Sequence, residues 1–160
     1  MLFWDASALV KAYSVEEGTS CVLGVFKVAR ERGSLTDFVA LEVFTVLSKH
    51  WRTSRLTKGQ YRAAVAEFTL DYQSFYNLEV QEPIRRNAFQ LAQAYRAAGL
   101  GAMDLLHLAS ALYAQTSRRH EPVVFATSDG LLQSAAAAEG LRTFNPETDP
   151  LSKLLTLLSR

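Results

Sequence analysis

The chain has 160 residues, which is room for one domain. Its 17 Lys and Arg residues nearly balance its 16 Asp and Glu residues, so the net charge of +1 does not select a nucleic-acid partner. With 49% apolar and 21% charged residues, the composition is that of a folded domain. A single cysteine cannot form an internal disulfide, and we find neither a bilayer-length apolar run nor a secretory signal. We therefore expect a cytoplasmic protein that makes no membrane contact.

Short apolar runs alternate with helical stretches along the whole chain. The first half is predicted to form, in order, a strand at 2–4, helices at 5–13 and 18–32, a strand at 35–36, helices at 37–51 and 57–77, and a strand at 78–80. Asp37 is a candidate N-cap, and Thr57 opens the helix that follows. The second half is predicted to form helices at 84–98 and 102–117, a strand at 123–127, a helix at 129–139 and a strand at 141–144.

Short strands joined by helices are typical of βαβ units, which build a parallel sheet covered by helices on both faces. The sequence therefore predicts an α/β fold with four or five short strands. Because no repeat or linker divides the chain, we expect a single domain over 1–160. Its leucine-rich tail, 151–160, is predicted either to pack as a terminal helix or to cover a partner.

Two acidic residues directly follow predicted strands. Asp5 comes after the first strand and Asp129 after the strand at 123–127, and ligand sites of open α/β sheets lie at such positions. Each acid also suits the N-cap of the helix after it, which is the alternative interpretation. Thr127 adds a hydroxyl that can bind a carboxylate, a water or a phosphate oxygen.

Two further acids lie on apolar helices. Glu42 is the only charged residue in 38–48, and Asp104 is the only one in 97–117. A buried carboxylate is costly unless it is paired or bound to a metal. The alternatives are that Glu42 reaches water at a helix edge and that Asp104 is stabilised by the helix macrodipole.

A parallel sheet can bring these four acids into one crevice. Their carboxylates would repel one another, and some would take up protons unless a cation neutralised them. Oxygen ligands without His or Cys favour Mg²⁺ or Mn²⁺ over zinc. One or two such ions are typical of phosphoryl transfer, and no P-loop, dinucleotide or nucleophile-elbow motif points elsewhere.

Four segments of the chain resemble the PIN domain. They are DASALVKAY from Asp5, ALEV around Glu42, MDLLHLASAL around Asp104 and VVFATSDGLL through Asp129. More narrowly, the chain resembles the VapC-type toxins of prokaryotic toxin–antitoxin modules, over nearly its whole length and in the family's order. The resemblance implies a PIN-like three-layer fold, in which helices flank a central parallel sheet.

The resemblance also implies a function and a site. It implies an endoribonuclease that depends on Mg²⁺ or Mn²⁺ and cleaves RNA phosphodiesters with a metal-activated water. The residues that match the family's acidic quartet are Asp5, Glu42, Asp104 and Asp129. The residues that match its supporting hydroxyls are Ser7 and Thr127. The implied partners are an RNA substrate, a second copy in a homodimer, and a small antitoxin that occupies the active-site groove and binds operator DNA.

Five cations are close together in residues 49–62 and form what we call the basic segment: Lys49, Arg52, Arg55, Lys58 and Arg62. We expect these side chains to contact RNA phosphates, with Trp51 or Tyr61 available to stack on a base. The alternative is a solvated junction between two helices, where cations also favour the helix C-terminus.

Two other residues lie close in sequence to the acids. His107 is one helical turn after Asp104, and we expect it to be structural, the alternative being contact with a metal-bound water. Lys11 follows Asp5, and we expect it at the surface, the alternative being contact with the acidic site or a substrate phosphate.

The main hypothesis is therefore a metal-dependent ribonuclease, and two other functions remain open. One is a PIN-like partner that binds RNA or protein with little or no turnover. The other is a different Mg²⁺-dependent phosphoryl-transfer enzyme, such as a small phosphatase or a receiver-like domain. Metal-dependent RNA cleavage without a phosphoenzyme separates these possibilities.

Overall fold

The computed structural model describes residues 1–118 and 121–159 and contains one parallel sheet. Its strand order is β3-β2-β1-β4-β5. The strand bounds are β1 Leu2–Trp4, β2 Gly33–Thr36, β3 Tyr76–Leu78, β4 Val124–Ala126 and β5 Arg142–Phe144. The predicted parallel α/β fold is confirmed.

Helices connect these strands. Their bounds are α1 Ala6–Leu9, α2 Thr19–Ala29, α3 Val39–Arg52, α4 Lys58–Tyr72, α5 Glu82–Ala94, α6 Ala102–Ser117, α7 Gly130–Ala138 and α8 Leu151–Ser159. Single 3₁₀ turns at Val10–Ala12 and Arg30–Arg32 extend α1 and α2. None of the helices in the described ranges is long and apolar enough to cross a lipid bilayer.

The sheet separates two hydrophobic cores, because successive side chains of a strand point to opposite faces. In β1, Leu2 and Trp4 pack in one core with α2, α3, α4 and α8, whereas Phe3 packs in the other. The second core contains the apolar faces of α5, α6 and α7. Both cores exclude water from β1 and β4, which explains why these central strands are continuous apolar runs.

The region between α4 and α5 differs from its prediction. The helix expected over 57–77 ends at Tyr72, and the strand expected at 78–80 begins at Tyr76. Ser34 of β2 pairs with Tyr76 in parallel register, so the residues from Tyr76 form a strand and do not continue the helix. Periodicity within the chain does not reveal a pairing between distant segments.

Three helices and the tail can also be compared with their predictions. Thr57 caps α4 by accepting a hydrogen bond from the Gln60 N–H, as expected, but α3 begins after Phe38 and the Asp37 carboxylate accepts from the Val80 N–H instead. The helix expected over 84–98 begins at Glu82 and ends at Ala94. The tail forms α8, which packs on the first core, and its last residue, 160, lies outside the described ranges.

Candidate active site

The carboxyl ends of β1 and β4 lie side by side, because the two strands are parallel and in register. The chain turns into a helix after each of them. Asp5 follows β1, and its N–H donates to the Ala126 carbonyl oxygen at 2.9 Å. Thr127 and Asp129 follow β4, so the sheet brings these three residues to one edge.

Asp5 is held in a cluster of hydroxyl groups. Its Oδ2 accepts hydrogen bonds from the Ser7 N–H at 3.1 Å, from the Ser7 hydroxyl, and from the Thr127 hydroxyl at 3.0 Å. The Ser7 hydroxyl in turn accepts from the Ser128 N–H at 2.9 Å. Asp5 is buried, and its carboxylate is the N-cap of α1. The cap interpretation is therefore correct, and the same contacts fix the carboxylate in orientation.

Asp129 is also an N-cap. Its Oδ1 accepts from the N–H groups of Leu131 and Leu132, at 2.8 and 2.9 Å, at the start of α7. Its own N–H donates to the Thr127 hydroxyl at 3.1 Å. Both amides approach the same oxygen, so the carboxylate is held from one side.

Glu42 lies in the first turn of α3 and faces His107 on α6. The Glu42 Oε2 accepts a hydrogen bond from His107 Nε2, and the side chain is 23% exposed. The alternative interpretation, in which Glu42 reaches water at a helix edge, is thus only partly correct. His107 Nε2 also lies 3.7 Å from the Asp5 Oδ1, so this ring stands between two of the predicted acids.

The His107 imidazole is completely buried, as expected for a structural histidine. Burial alone would lower its pKa, but the hydrogen bond to Glu42 and the charges of Asp5, Glu42 and Asp104 outweigh it and raise the pKa overall.

Asp104 is at the start of α6, where its Oδ2 accepts from the Gly101 N–H at 2.7 Å. Burial raises the pKa of this carboxyl, and the charges of Asp5 and Asp129 raise it further against the opposing effect of the Gly101 hydrogen bond. These charge effects indicate that Asp104 lies near the two strand-end acids. Through His107, Glu42 joins the same acidic cluster, which we define as Asp5, Glu42, Asp104 and Asp129.

Two open pockets lie beside the cluster on the α3 side, and because Val46 lines both, we call them together the groove. One pocket, of about 340 Å³, is bordered by Ser7, Lys11 and Asp129, and the other, of about 310 Å³, is bordered by Glu42. An extended chain lying across both pockets would therefore pass Asp129 and Glu42.

Lys11 is a buried groove residue, which corrects its expected surface position. The side chain is 3% exposed, and its Nζ lies 2.5 Å from the Glu147 Oε1 and 3.4 Å from the Glu16 Oε2. Burial of a lysine requires such partners. Glu147 is 136 residues away in the chain, so no local pattern indicated the pair.

The basic segment extends from the last turns of α3, through a turn, into the first turns of α4, and its side chains are exposed. Lys49 is seven residues after Glu42, which is two helical turns or about 10 Å along the same side of α3. Trp51 stacks on Tyr61 with 5.2 Å between ring centroids, so each ring already covers one face of the other. The segment therefore flanks the acidic cluster and lies outside it.

Comparison with known proteins identifies the family. The PIN domain model matches residues 2–137. The chain belongs to the PIN domain family. PIN domains are in general nucleases that use divalent metals. A search of curated proteins gave no match.

Solved structures share the fold of this PIN domain. FitAcB from Neisseria gonorrhoeae is 19% identical, with a TM-score of 0.67 over 93% of this chain and 100% of that chain. PAE2754 from Pyrobaculum aerophilum is 21% identical, with a TM-score of 0.62 over 99% and 96% of the two chains. FitAB bound to an IR36 DNA fragment is 16% identical, with a TM-score of 0.59 over 93% and 97%. At such identities the likeness concerns the fold.

The donor set of this PIN domain suits a divalent metal. It consists of carboxylate oxygens, which Mg²⁺ and Mn²⁺ prefer. Burial is the main cause of the raised pKa of Asp104, and the negative charges of Asp5 and Asp129 add to it. In residues 1–118 and 121–159, no three Asp, Glu, His or Cys side chains are arranged as a ready-made metal site. The carboxylates instead turn toward protein donors, as the Asp104 bond to Gly101 illustrates.

Proposed function

We propose that this PIN domain is an endoribonuclease that depends on Mg²⁺ or Mn²⁺, with one or two ions held by the acidic cluster. The observation that carries the proposal is the grouping of four carboxylates beside the carboxyl ends of β1 and β4: His107 lies between Glu42 and Asp5, and burial, with the charges of Asp5 and Asp129, raises the pKa of Asp104. Carboxylates repel one another, so a fold that brings them together gains when a cation binds. The proposed ligands are Asp5, Glu42, Asp104 and Asp129.

The chain's own residues would hold these ligands in place. Ser7 and Thr127 donate to Asp5, and His107 donates to Glu42. A divalent cation, when bound, supplies a lowered water pKa and compensates the charge that develops on a phosphodiester. The hydroxyl donors fix the orientation of the Asp5 carboxylate without adding negative charge, which the acidic cluster already has in excess.

The groove and the basic segment support RNA as the substrate. A phosphate backbone entering an acidic groove needs cations along its path. Lys11 lines one pocket of the groove, and Lys49 projects from α3 two turns beyond Glu42. We propose that Lys49, Arg52, Arg55, Lys58 and Arg62 contact phosphates beside the cleaved bond, outside the acidic cluster.

We propose further that the chain is the toxin of a type II toxin–antitoxin module, as its resemblance to VapC-type toxins implies. Such a toxin acts as a homodimer and is inhibited by a small antitoxin. A structure of FitAB, a protein of the same fold, is bound to a DNA fragment. That structure supports an assembly of this kind, in which the complex binds DNA.

The test is cleavage of a mixed RNA pool by the purified protein. One arm contains Mg²⁺ or Mn²⁺, a second adds EDTA, and a third uses Asp104→Asn with metal. The matched control is Glu82→Gln, which removes an exposed carboxylate on α5 that pairs with Arg86 on the same helix. We expect cleavage by the unmodified chain and by the control, in the metal arm only.

Two outcomes would contradict the proposal. RNA binding without turnover in every arm would favour a non-catalytic partner. A phosphorylated protein, detected by mass after reaction, would favour a phosphotransfer enzyme.

A further inference from the structure

The His107 ring is fixed by three different elements. It projects from α6, and its Nδ1 lies 3.1 Å from the hydroxyl of Thr36, the last residue of β2. Its Nε2 bonds to Glu42 on α3, and the Phe38 ring centroid is 4.9 Å from its own. Because the ring is completely buried, leaving either nitrogen without a partner would be costly.

The Glu42 contact fixes the hydrogen on one nitrogen. An ionised carboxylate only accepts hydrogen bonds, so Nε2 carries the hydrogen that Glu42 accepts. Thr36 can donate to a bare Nδ1 or accept from a protonated one, so this arrangement holds in either charge state of the ring. With both nitrogens engaged, the ring is oriented toward Glu42 and is not itself free to bind a metal.

We infer that His107 is a positioning residue that sets the orientation of the Glu42 carboxylate relative to Asp5. A glutamate side chain has several rotatable bonds, and ordering it has an entropic cost that a fixed hydrogen-bond donor reduces. His107 Nε2 is bonded to Glu42 and is 3.7 Å from the Asp5 Oδ1, so this buried atom lies between the two carboxylates. This inference rests on the proposed function, because it treats both carboxylates as metal ligands.

Two substitutions separate the roles of the two nitrogens. In His107→Gln the side-chain amide reaches the position of Nε2 and retains a donor toward Glu42. In His107→Asn the shorter amide reaches only the position of Nδ1, so the contact with Thr36 is kept and the donor to Glu42 is lost. Both replacements are polar and uncharged, which makes them matched controls for each other.

The first measurement is Mn²⁺ binding in the absence of RNA, detected by the electron paramagnetic resonance signal of the free ion. We expect His107→Asn to bind Mn²⁺ about 10–100-fold more weakly than the unmodified chain, the usual effect of removing a residue that orients a ligand. We expect His107→Gln to stay within about threefold of the unmodified chain, because it keeps the donor. RNA cleavage as a function of Mn²⁺ concentration should shift its midpoint in the same order.

A purely structural role would give a different pattern. Both variants would then lower the melting temperature while leaving Mn²⁺ affinity unchanged in the folded fraction, and that result would overturn the inference. Equal loss of affinity in both variants would also overturn it, since the retained donor would then have no effect.

Thr36→Val provides a test if neither histidine variant folds. It keeps the shape of Thr36 and removes the hydroxyl that orients the ring through Nδ1, so weaker Mn²⁺ binding is again expected. Unchanged binding would count against the inference. Failure of the unmodified chain to bind Mn²⁺ would overturn the proposed metal site together with this inference, whereas normal binding with unaffected variants would overturn the inference alone.

Discussion

Substitution of Asp104 by asparagine tests whether the carboxylate of this residue has a functional or a structural role. Asn is nearly the same size and keeps an oxygen that can accept the Gly101 N–H, which now donates to the Asp104 Oδ2 at 2.7 Å. The substitution removes only the charge that Asp5 and Asp129 repel. We expect Asp104→Asn to abolish metal-dependent RNA cleavage and to leave the metal-free protein at least as stable.

The magnitude follows from two opposing effects. Exchanging a charged acceptor for a neutral one weakens the Gly101 hydrogen bond by about 1 kcal/mol. Removing a poorly compensated charge from a functional site commonly raises the free energy of unfolding by about 0.5–2 kcal/mol. The net change in unfolding free energy is then about −0.5 to +1 kcal/mol, which changes the melting temperature by about −2 to +4 °C for a chain of this length, so we expect the variant to be about as stable or more stable.

The assay is thermal unfolding in EDTA at several pH values. Because burial and the neighbouring acids raise the pKa of Asp104 above its ordinary 3.8, the folded state holds this proton more tightly than the unfolded state. The wild type therefore loses stability as the pH rises through the folded-state pKa, and the advantage of Asp104→Asn should shrink as the pH falls.

Asp104→Ala is the matched control, because it removes both the charge and the acceptor for the Gly101 N–H. It should be less stable than Asp104→Asn by about 1 kcal/mol, the usual cost of losing a cap. A fall of more than about 4 °C in Asp104→Asn itself would refute the reasoning, since this corresponds to over about 1 kcal/mol lost. Asp104 would then stabilise the fold through its charge.

Three further predictions concern the surroundings of the site. Lys11→Met should lower the free energy of unfolding, measured in urea, by about 3 kcal/mol, because it leaves the half-buried Glu147 without its cation. A decrease of less than about 1 kcal/mol would instead be typical of a surface ion pair. Burial and the Arg55 charge lower the pKa of His50, so the wild type should lose stability as the pH falls below 6.5. Between about pH 7.5 and about pH 5.5 the melting temperature of His50→Gln should therefore fall less than that of the wild type. Equal falls in the two proteins would contradict this prediction. Gly33→Ala would place a methyl group against the Phe75 ring and should lower the free energy of unfolding by about 1–3 kcal/mol. Calorimetry of the single variant and of its combination with Phe75→Leu would check this prediction.

The parts of the fold that the sequence predicted well are those with strong local signals. Thr57 begins a helix through a side-chain cap, and the apolar spacing over 102–117 coincides with α6. The failures are non-local. The strand at Tyr76 depends on pairing with Ser34, and the start of β2 at Gly33 depends on pairing with Leu2 of β1. Neither partner can be identified from the spacing of neighbouring residues.

The site shows the same division. The positions of Asp5 and Asp129 after apolar strands were enough to expect them at one sheet edge, because parallel strands bring equivalent ends together. The partners of Lys11 and His107 were not evident, since they lie far away in the chain. Glu147 lies 136 residues from Lys11, and Glu42 lies 65 residues from His107. Burial of a polar side chain is decided by such distant partners.

The cap and ligand interpretations of the strand-end acids do not exclude each other. A chain that leaves a parallel strand and turns directly into a helix needs an acceptor for the first helical N–H groups, and Asp5 and Asp129 supply one. The same turn puts the carboxylate at the sheet edge. Because the α7 amides bind a single oxygen of Asp129, capping leaves the other side of that carboxylate facing away from the helix end. Substitution by asparagine, itself a good N-cap, therefore tests the ligand role at these positions, whereas alanine would test both roles at once.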